Sequence, residues 1–247
     1  MSLAIAFGAF VKGVAGAGLP ILAVPLLSAI VGVEHAISVM IIPSFVSNVA
    51  VVYMLRKEMR ANWELLSCIG FGLVGTTLGA WLLAIANREL MFLVLAAWVG
   101  FYLLLRKTKP DFQIPDERTG IVAPPVGFVT GIFQSATGLS FPVFGPYWQA
   151  RNLNRDRFAF NASALLMSFS FIQGISFLNL GMLTPERMTQ GAAALIPMFL
   201  ALAVGLKVGP KLDHRRFNLI ITGLLIATAL VLVYRGVADI PWDDWLS

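Results

Sequence analysis

Continuous apolar runs about 20 residues long dominate the chain and limit what it can fold into. Residues 218–234, NLIITGLLIATALVLVY, are one example, and their length suits a helix that crosses a hydrocarbon core of about 30 Å. Of the 247 residues, 58% are hydrophobic and 13% are charged, whereas soluble domains carry about 25% charged residues. Backbone groups in lipid must be paired internally, and these runs do not alternate as barrel strands do. The sequence therefore predicts an all-α polytopic membrane protein, a helical bundle.

Eight apolar segments are predicted, in two halves that a polar linker separates. The segments lie at roughly 2–33, 35–55, 63–86, 88–105, 120–149, 158–180, 188–206 and 217–235. We assign residues 1–107 to a first repeat, 108–118 to the linker, 119–236 to a second repeat and 237–247 to a C-terminal tail. The pattern FVxG ends at Gly13 and again at Gly131, and GTTLG at 75–79 corresponds to GLKVG at 205–209. These matches predict two homologous halves, each with a broken or re-entrant first segment plus three transmembrane helices.

The first segment of each half is interrupted, by GVAGAG at 13–18 and by FQSATG at 133–138. Neither remaining piece reaches the roughly 17 residues that a full span needs. If the fifth segment crosses once, the loop Lys and Arg residues divide nine to eight; if it returns as a hairpin, they divide fourteen to three. Cytoplasmic loops are enriched in Lys and Arg, so the hairpin is favoured, with a broken crossing as the alternative. Three crossings per half then predict inverted repeats.

The helix breaks are the predicted binding site. A helix that restarts after a break directs free amide N–H groups and its positive dipole end at the gap, which favours an anion. Lys12 lies beside the first break, and its counterpart in the second half is Thr130. Intramembrane charge is usually functional, but Lys12 can also snorkel to the interface. The glycines, alternatively, serve only for close helix packing.

Polar side chains cluster at the second break and in the second segment of each half. As cavity-lining candidates we select Lys12, Ser47, Asn48, Gln134, Ser135, Thr137, Ser140 and Asn161. Alternatively, each of these side chains only forms hydrogen bonds that hold neighbouring helices together. The partners expected are a small anionic substrate and the lipid bilayer, with a second copy of the chain left open, and no nucleic acid.

Several function classes lack the residues that they need. The thirteen acidic residues lie at segment ends, in loops or in the tail, so no mid-span carboxylate supplies a proton relay. The sequence holds no nucleotide-binding or hydrolase motif, and no Cys/His cluster with metal-ligand spacing. Cys68 is the only cysteine, which excludes an internal disulfide. We therefore expect no enzyme activity, no metal and no cofactor.

Two stretches carry a family resemblance, GVAGAGLPILAVPLL at 13–27 and GIFQSATGLSFPVF at 131–144. They resemble the paired glycine-and-proline motifs of the TauE/SafE-type sulfite exporter family, and the likeness extends over nearly the whole chain. The resemblance implies a bacterial or archaeal inner-membrane protein that moves sulfite, a sulfonate or a related anion, often as export. Carried over by position, its implied site is Gly13, Gly16, Gly18 and Pro20, facing Gly131, Thr137, Gly138 and Pro142. An anion channel of the same architecture and a non-transporting membrane subunit or enzyme are the alternatives.

Overall fold

The computed structural model describes residues 2–15, 19–59, 63–85, 96–98, 100–101, 103–105, 107–108, 113–211 and 213–238. Within them the chain forms α1 (Ser2–Ala15), α2 (Leu19–Val31), α3 (Val33–Met54), α4 (Trp63–Ile85), α5 (Thr119–Thr137), α6 (Phe141–Ala150), α7 (Arg155–Asn179), α8 (Pro185–Ala193), α9 (Leu195–Val208) and α10 (His214–Ala238). The described residues between 96 and 108 are also helical. None of the described residues lies in a strand, and the predicted all-α class is confirmed.

Four helical spans in the described part of the chain are long and apolar enough to cross a membrane. They are Glu34–Met54, Trp63–Leu83, Arg155–Asn179 and Pro185–Val208. Large apolar side chains cover their outer faces: Trp63 is 74% exposed and Ile196 is 72% exposed. Soluble proteins rarely expose broad apolar surface, so these faces are suited to lipid. The predicted segment 88–105 lies partly outside the described residues.

Two predicted boundaries change in the structure. Residues 133–137 were expected to lie in the second break, but they continue α5, so the non-helical connection shrinks to 138–140. The seventh segment was expected as one helix at 188–206, but it forms α8 and α9, with Ala194 between them. Proline at the first position of α8 is favourable, because its missing N–H would be unpaired there anyway.

The first helix of each half packs against the third segment of the other half. α1 lies along α9, α5 lies along α4, and α3 and α7 pack against each other. Glycine permits the close approach in both pairs. A Cβ added to Gly13 would lie 2.7 Å from the Leu202 carbonyl oxygen, and one added to Gly131 would lie 2.7 Å from the Thr76 nitrogen. In both pairs the contacts advance together along the two helices, so the helices run parallel.

The chain enters and leaves α5–α6, which we call hairpin 2 (residues 119–150), on one face of the bundle. The backbone N–H of Ile114, just before α5, donates to the Ala150 carbonyl oxygen at the end of α6, at 3.1 Å. Arg151 then donates to the Ile114 carbonyl oxygen at 2.7 Å and pairs with Glu64 of α4 at 3.2 Å. These contacts fit the re-entrant alternative. We call this side the Arg151 face.

The α1–α2 pair, hairpin 1 (residues 2–31), has its ends on the opposite side. Gly32, with a φ of 81°, turns the chain from α2 directly into α3. Glu34, in the first turn of α3, pairs with Arg187 of α8 at 2.8 Å. Because α1 runs parallel to α9, which follows α8, α1 also starts on this Arg187 face. Entry from opposite faces is what inverted halves require; the twofold relation itself stays a prediction.

Candidate functional site

Two small adjoining cavities lie where the hairpins meet α3 and α7. The first is lined by Lys12, Leu19, Pro20, Ser44, Asn48, Gln134, Leu166 and Ser170. The second is lined by Pro20, Val24, Ile37, Met40, Ile41, Ser44, Gln134, Gly138 and Gln173. Each has a volume of about 10 Å³ for a water-sized sphere, which is room for roughly one water molecule. The site is therefore closed to an oxyanion in this conformation.

Lys12 places a basic side chain in the first cavity. Its side chain is only 2% exposed, so it points into the bundle and does not snorkel. Its Nζ donates to the Ser47 Oγ at 2.8 Å and to the Asn48 Oδ1. Among the described residues, no carboxylate comes within ion-pair distance of it. Burying an ammonium without a counter-ion is costly, and one of its three N–H donors has no partner in the described structure.

A glutamine pair forms the polar wall that hairpin 2 and α7 contribute. The Gln134 Nε2 donates to the Gln173 Oε1 at 3.4 Å, and the Gln173 Nε2 donates to the Gln134 carbonyl oxygen at 3.3 Å. Both distances exceed those of a typical N–H···O bond. The Ser140 Oγ donates to the Gln134 Oε1 at 2.6 Å and orients that amide. These two long hydrogen bonds of the glutamine amides can be exchanged for hydrogen bonds to a ligand oxygen at a small cost in free energy.

Ser170 adds a hydroxyl that lacks a protein partner. It is 1% exposed, it lines the first cavity, and its Oγ makes no hydrogen bond in the described structure. Buried polar groups are nearly always hydrogen-bonded. This hydroxyl lines the same small cavity as Lys12 and is available to bond a polar ligand there.

Hairpin 2 satisfies most of its own amide groups at the break. Gly138 ends α5 with a φ of 72°, a left-handed conformation that glycine adopts without strain. Its N–H donates to the Gln134 carbonyl oxygen, and the Leu139 N–H donates to the Thr137 Oγ1. The amides of residues 143 and 144 donate to the Ser140 carbonyl oxygen. Four amides of this break are therefore already paired, and the polar groups that line the cavities are mainly side chains. An anion cradle of backbone amides stays a prediction.

Hairpin 1 is capped from outside by Arg155, the first residue of α7. Its Nε donates to the Val14 carbonyl oxygen at 3.0 Å, and its Nη2 donates to the Gly13 carbonyl oxygen at 2.6 Å. These carbonyls belong to the last turn of α1, where helix carbonyls lack intrahelical partners. The side chain is 9% exposed and also pairs with Asp156 at 2.5 Å. Arg155 thus joins the end of hairpin 1 to the second half.

Not all of the predicted site residues line the cavities. The structure places Lys12, Pro20, Asn48, Gln134 and Gly138 on them, with Ser47 and Ser140 one hydrogen bond away. Gly13 and Gly131 lie at helix crossings, Thr137 bonds within hairpin 2, the Pro142 carbonyl oxygen accepts from Trp98, and Ser135 and Asn161 are buried elsewhere. Gly16 and Gly18 lie outside the described residues. Substrate contact by any of these residues stays a prediction.

The sequence reasoning did not select Ser170, Gln173 and Arg155. Ser170 and Gln173 are three residues apart and so share one face of α7. Ser44 and Asn48, four apart, share one face of the antiparallel α3. A search for polar pairs at helical spacing in both second segments would have found them. Arg155 carried no such signal, because a basic residue in a short loop is explained by membrane orientation alone.

One comparison with known proteins identifies a family. A family model described as Sulfite exporter TauE/SafE matches residues 1–232. Neither the comparison with curated proteins nor that with solved structures gives a match. The family match and the four membrane-capable helices together support a membrane location. The chain therefore belongs to the TauE/SafE sulfite exporter family, which implies membrane transport of sulfite or a related anion.

Proposed function

We propose that this chain moves a small oxyanion, such as sulfite or a sulfonate, across the bacterial inner membrane through the site around Lys12. The observation that carries the proposal is the buried Lys12 side chain, whose described partners are neutral, next to a cavity between hairpins 1 and 2. Discontinuous helices that meet near the midplane are typical substrate sites in secondary transporters. An oxyanion would supply the counter-charge that Lys12 lacks.

The closed cavities favour a transporter that alternates between two openings over a continuously open channel. One ion pair lies on each face of the bundle, Arg151–Glu64 at 3.2 Å and Arg187–Glu34 at 2.8 Å. Each pair joins an element of the second half to the start of a helix in the first half. We propose that one pair separates while the other persists, so that the site opens to one face at a time. The family is a transporter family, and no enzymatic step is proposed.

The charge distribution supports an orientation for this transport. By the sequence count, the loops on the Arg151 face carry fourteen Lys and Arg residues and the Arg187 face carries three. Since cytoplasmic loops are enriched in these residues, we place the Arg151 face in the cytoplasm. Export then starts with opening on that face, at the side where Arg155 caps hairpin 1.

Sulfite uptake into liposomes that contain the purified full-length protein tests the proposal. We expect Lys12→Met to reduce the initial rate at least about 30-fold, since truncating one partner of a buried charge pair costs about 2 kcal/mol or more. Lys12→Arg should retain part of the rate, because it keeps the charge. Lys207→Met is the matched control, since Lys207 is exposed at the end of α9. Equal rates for Lys12→Met and the wild type, at equal protein incorporation, would refute the site.

A further inference from the structure

From the charges around the cavities we infer that this site selects singly charged oxyanions over doubly charged ones. The inference rests on the proposed function and specifies its substrate class. Apart from Lys12, every described residue that lines the two cavities is neutral. The lining thus supplies one formal positive charge, together with hydroxyl and amide groups on several helices.

The charged groups on the surrounding elements are already engaged or distant. On the described elements packed around Lys12 they are Glu34, His35, Arg155, Asp156, Arg157, Glu186, Arg187, Lys207, Lys211, His214, Arg215, Arg216 and Arg235. Glu34 pairs with Arg187, and His35 lies 2.7 Å from the Gln190 Oε1 on the Arg187 face. Arg155 pairs with Asp156 while it caps α1, and none of these groups lines either cavity. Their formal charges therefore add no second cation at the site.

The partial charges at the helix ends of the hairpins also nearly cancel. At hairpin 2 the carboxyl end of α5 is joined to the amino end of α6 by residues 138–140, and at hairpin 1 α2 follows α1 in the chain after residues 16–18. A helix end carries a partial charge of about half an elementary charge, positive at the amino end and negative at the carboxyl end. Paired ends of opposite sign leave the electrostatic balance with Lys12. At hairpin 2 most of the described amides are used within the break as well.

One positive charge in a buried site is matched by one negative charge on the ligand. A monoanion beside Lys12 forms a neutral pair, whereas a dianion leaves an uncompensated negative charge away from water, which is strongly unfavourable. The remaining oxygens of a monoanion can accept from the Ser170 hydroxyl and from the loosely held amides of Gln134 and Gln173. These donors add hydrogen bonds without adding charge. Hydrogensulfite and sulfonates meet these conditions, and the sulfite and sulfate dianions do not.

Competition between anions tests this selectivity in the unmodified protein. Uptake of labelled sulfite into liposomes is measured at one pH with methanesulfonate, a permanent monoanion, or sulfate, a permanent dianion, as competitor. We expect methanesulfonate to compete at a concentration at least about tenfold lower than sulfate. Stronger or equal competition by sulfate would overturn the inference and leave the anion site standing. Absence of any sulfite uptake would instead refute the proposed function.

If the shape of the site excludes both competitors, the pH dependence of sulfite uptake tests the inference instead. Sulfite loses its second proton near neutral pH, so raising the pH converts the monoanion to the dianion. We expect the half-saturating total sulfite concentration to rise in proportion to the loss of hydrogensulfite. Where methanesulfonate competes, its affinity over the same range corrects for titration of protein groups. A half-saturating concentration that falls as the dianion replaces hydrogensulfite would overturn the inference.

An added charge provides an independent test. Ser170→Lys places a second cation opposite Lys12 and should shift the ratio of sulfate to methanesulfonate affinity toward sulfate by at least about tenfold. Ser170→Ala changes the same position without adding charge and should leave that ratio within about twofold. Thermal melting in detergent identifies a variant that fails to fold, in which case the wild-type competition series decides. An unchanged ratio in folded Ser170→Lys would count against selection by charge.

Discussion

The two hairpins share an architecture, but their described helix ends are capped differently. Hairpin 2 caps itself: Gly138 takes the left-handed conformation, and Thr137 and Ser140 accept amides of the break. Hairpin 1 depends on the other half, because Arg155 of α7 caps its last carbonyls. Hairpin 1 also carries the buried charge of Lys12, whereas Thr130 at the corresponding position donates to a carbonyl of its own helix.

This difference indicates that the two hairpins, although they occupy corresponding positions in the two halves, have different roles. Both first helices use glycine to pack against the third segment of the opposite half, so that packing role is common to the two. We propose that the electrostatic role is held by hairpin 1 alone, and that hairpin 2 with α7 supplies neutral hydrogen bonds. Asymmetry of this kind lets one site hold an anion with a single counter-charge.

Moving the charge between the hairpins should have the largest effect. Lys12→Thr should reduce sulfite uptake at least about 30-fold, and adding Thr130→Lys should not restore it, because Thr130 lines neither cavity. Initial rates in liposomes with equal incorporation measure both effects. Recovery in the double variant would show that the halves are interchangeable and would break the comparison.

Bulk at the two helix crossings should destabilise both halves to a similar extent. A Cβ at Gly205 would lie 2.9 Å from the Gly13 Cα, and one at Gly75 would lie 2.9 Å from the Phe128 carbonyl carbon. Gly205→Leu and Gly75→Leu should each lower stability by about 1–3 kcal/mol, as overpacking does, measured by thermal melting in detergent.

Two other glycines are matched controls for these crossings. Gly70 in α4 and Gly223 in α10 have no neighbour within 4 Å of an added Cβ. Gly70→Leu and Gly223→Leu should therefore leave the melting temperature nearly unchanged. Tolerance of leucine at Gly205 or Gly75 would mean that the crossing does not form as described.

Substitutions that remove each cap should have different effects on hairpin 1, which Arg155 of α7 caps, and on hairpin 2, which is capped by its own residues. Arg155→Met removes charged donors from two helix carbonyls and should cost about 1.5–3 kcal/mol. Gly138→Ala should cost about 1–2 kcal/mol, because an alanine is strained in the left-handed region. We expect Arg155→Met also to alter uptake kinetics, because it releases the end of α1 next to Lys12.

The controls for the caps are Arg216→Met and Gly181→Ala. The Arg216 side chain is 71% exposed, and Gly181 has a φ of 69° with no neighbour within 4 Å. Gly181→Ala should thus show the strain of a left-handed alanine without any steric contact. A Cβ at Gly138 would also lie 3.1 Å from the Ile37 Cγ1, so the loss of stability should be larger there. A larger loss at Gly181 than at Gly138 would contradict this packing of hairpin 2.

Cysteine labelling tests on which face of the bundle hairpin 2 enters and leaves. Its substitutions should have the smallest effect on sulfite uptake. In a Cys68→Ala background, Gln113→Cys and Asn152→Cys should react with an impermeant thiol reagent from the same side, and Glu186→Cys from the opposite side. All three positions are exposed, so sulfite uptake should change by less than about twofold before labelling. Labelling of residues 113 and 152 from opposite sides would show that this segment spans the membrane.

The membrane class, the interrupted first segments and the hairpin preference could be read from the sequence, because each follows from local properties. The length of an apolar run indicates a membrane span, and glycine and proline within it indicate a break. The number of Lys and Arg residues in a loop indicates the side of the membrane on which the loop lies. Lys12 and Gln134 were found for the same reason, since a charge or an amide beside a break is visible in the chain itself. The extent of the second break was overestimated, because FQSATG is compatible with a helix in which Gln134 bonds to Gln173 of α7 and Thr137 bonds to the Phe133 carbonyl oxygen of its own helix.

Only the tertiary structure decided which polar groups share a cavity and which amides are already used. Ser44, Ser170 and Gln173 come from two distant segments, and their meeting depends on the antiparallel packing of α3 and α7. Gly13 and Gly131 were expected at the substrate, and the structure places them where helices of opposite halves pack closely. A residue type establishes what a side chain can do. Whether it faces a ligand or another helix depends on the packing of segments far apart in the chain, which local pattern does not encode.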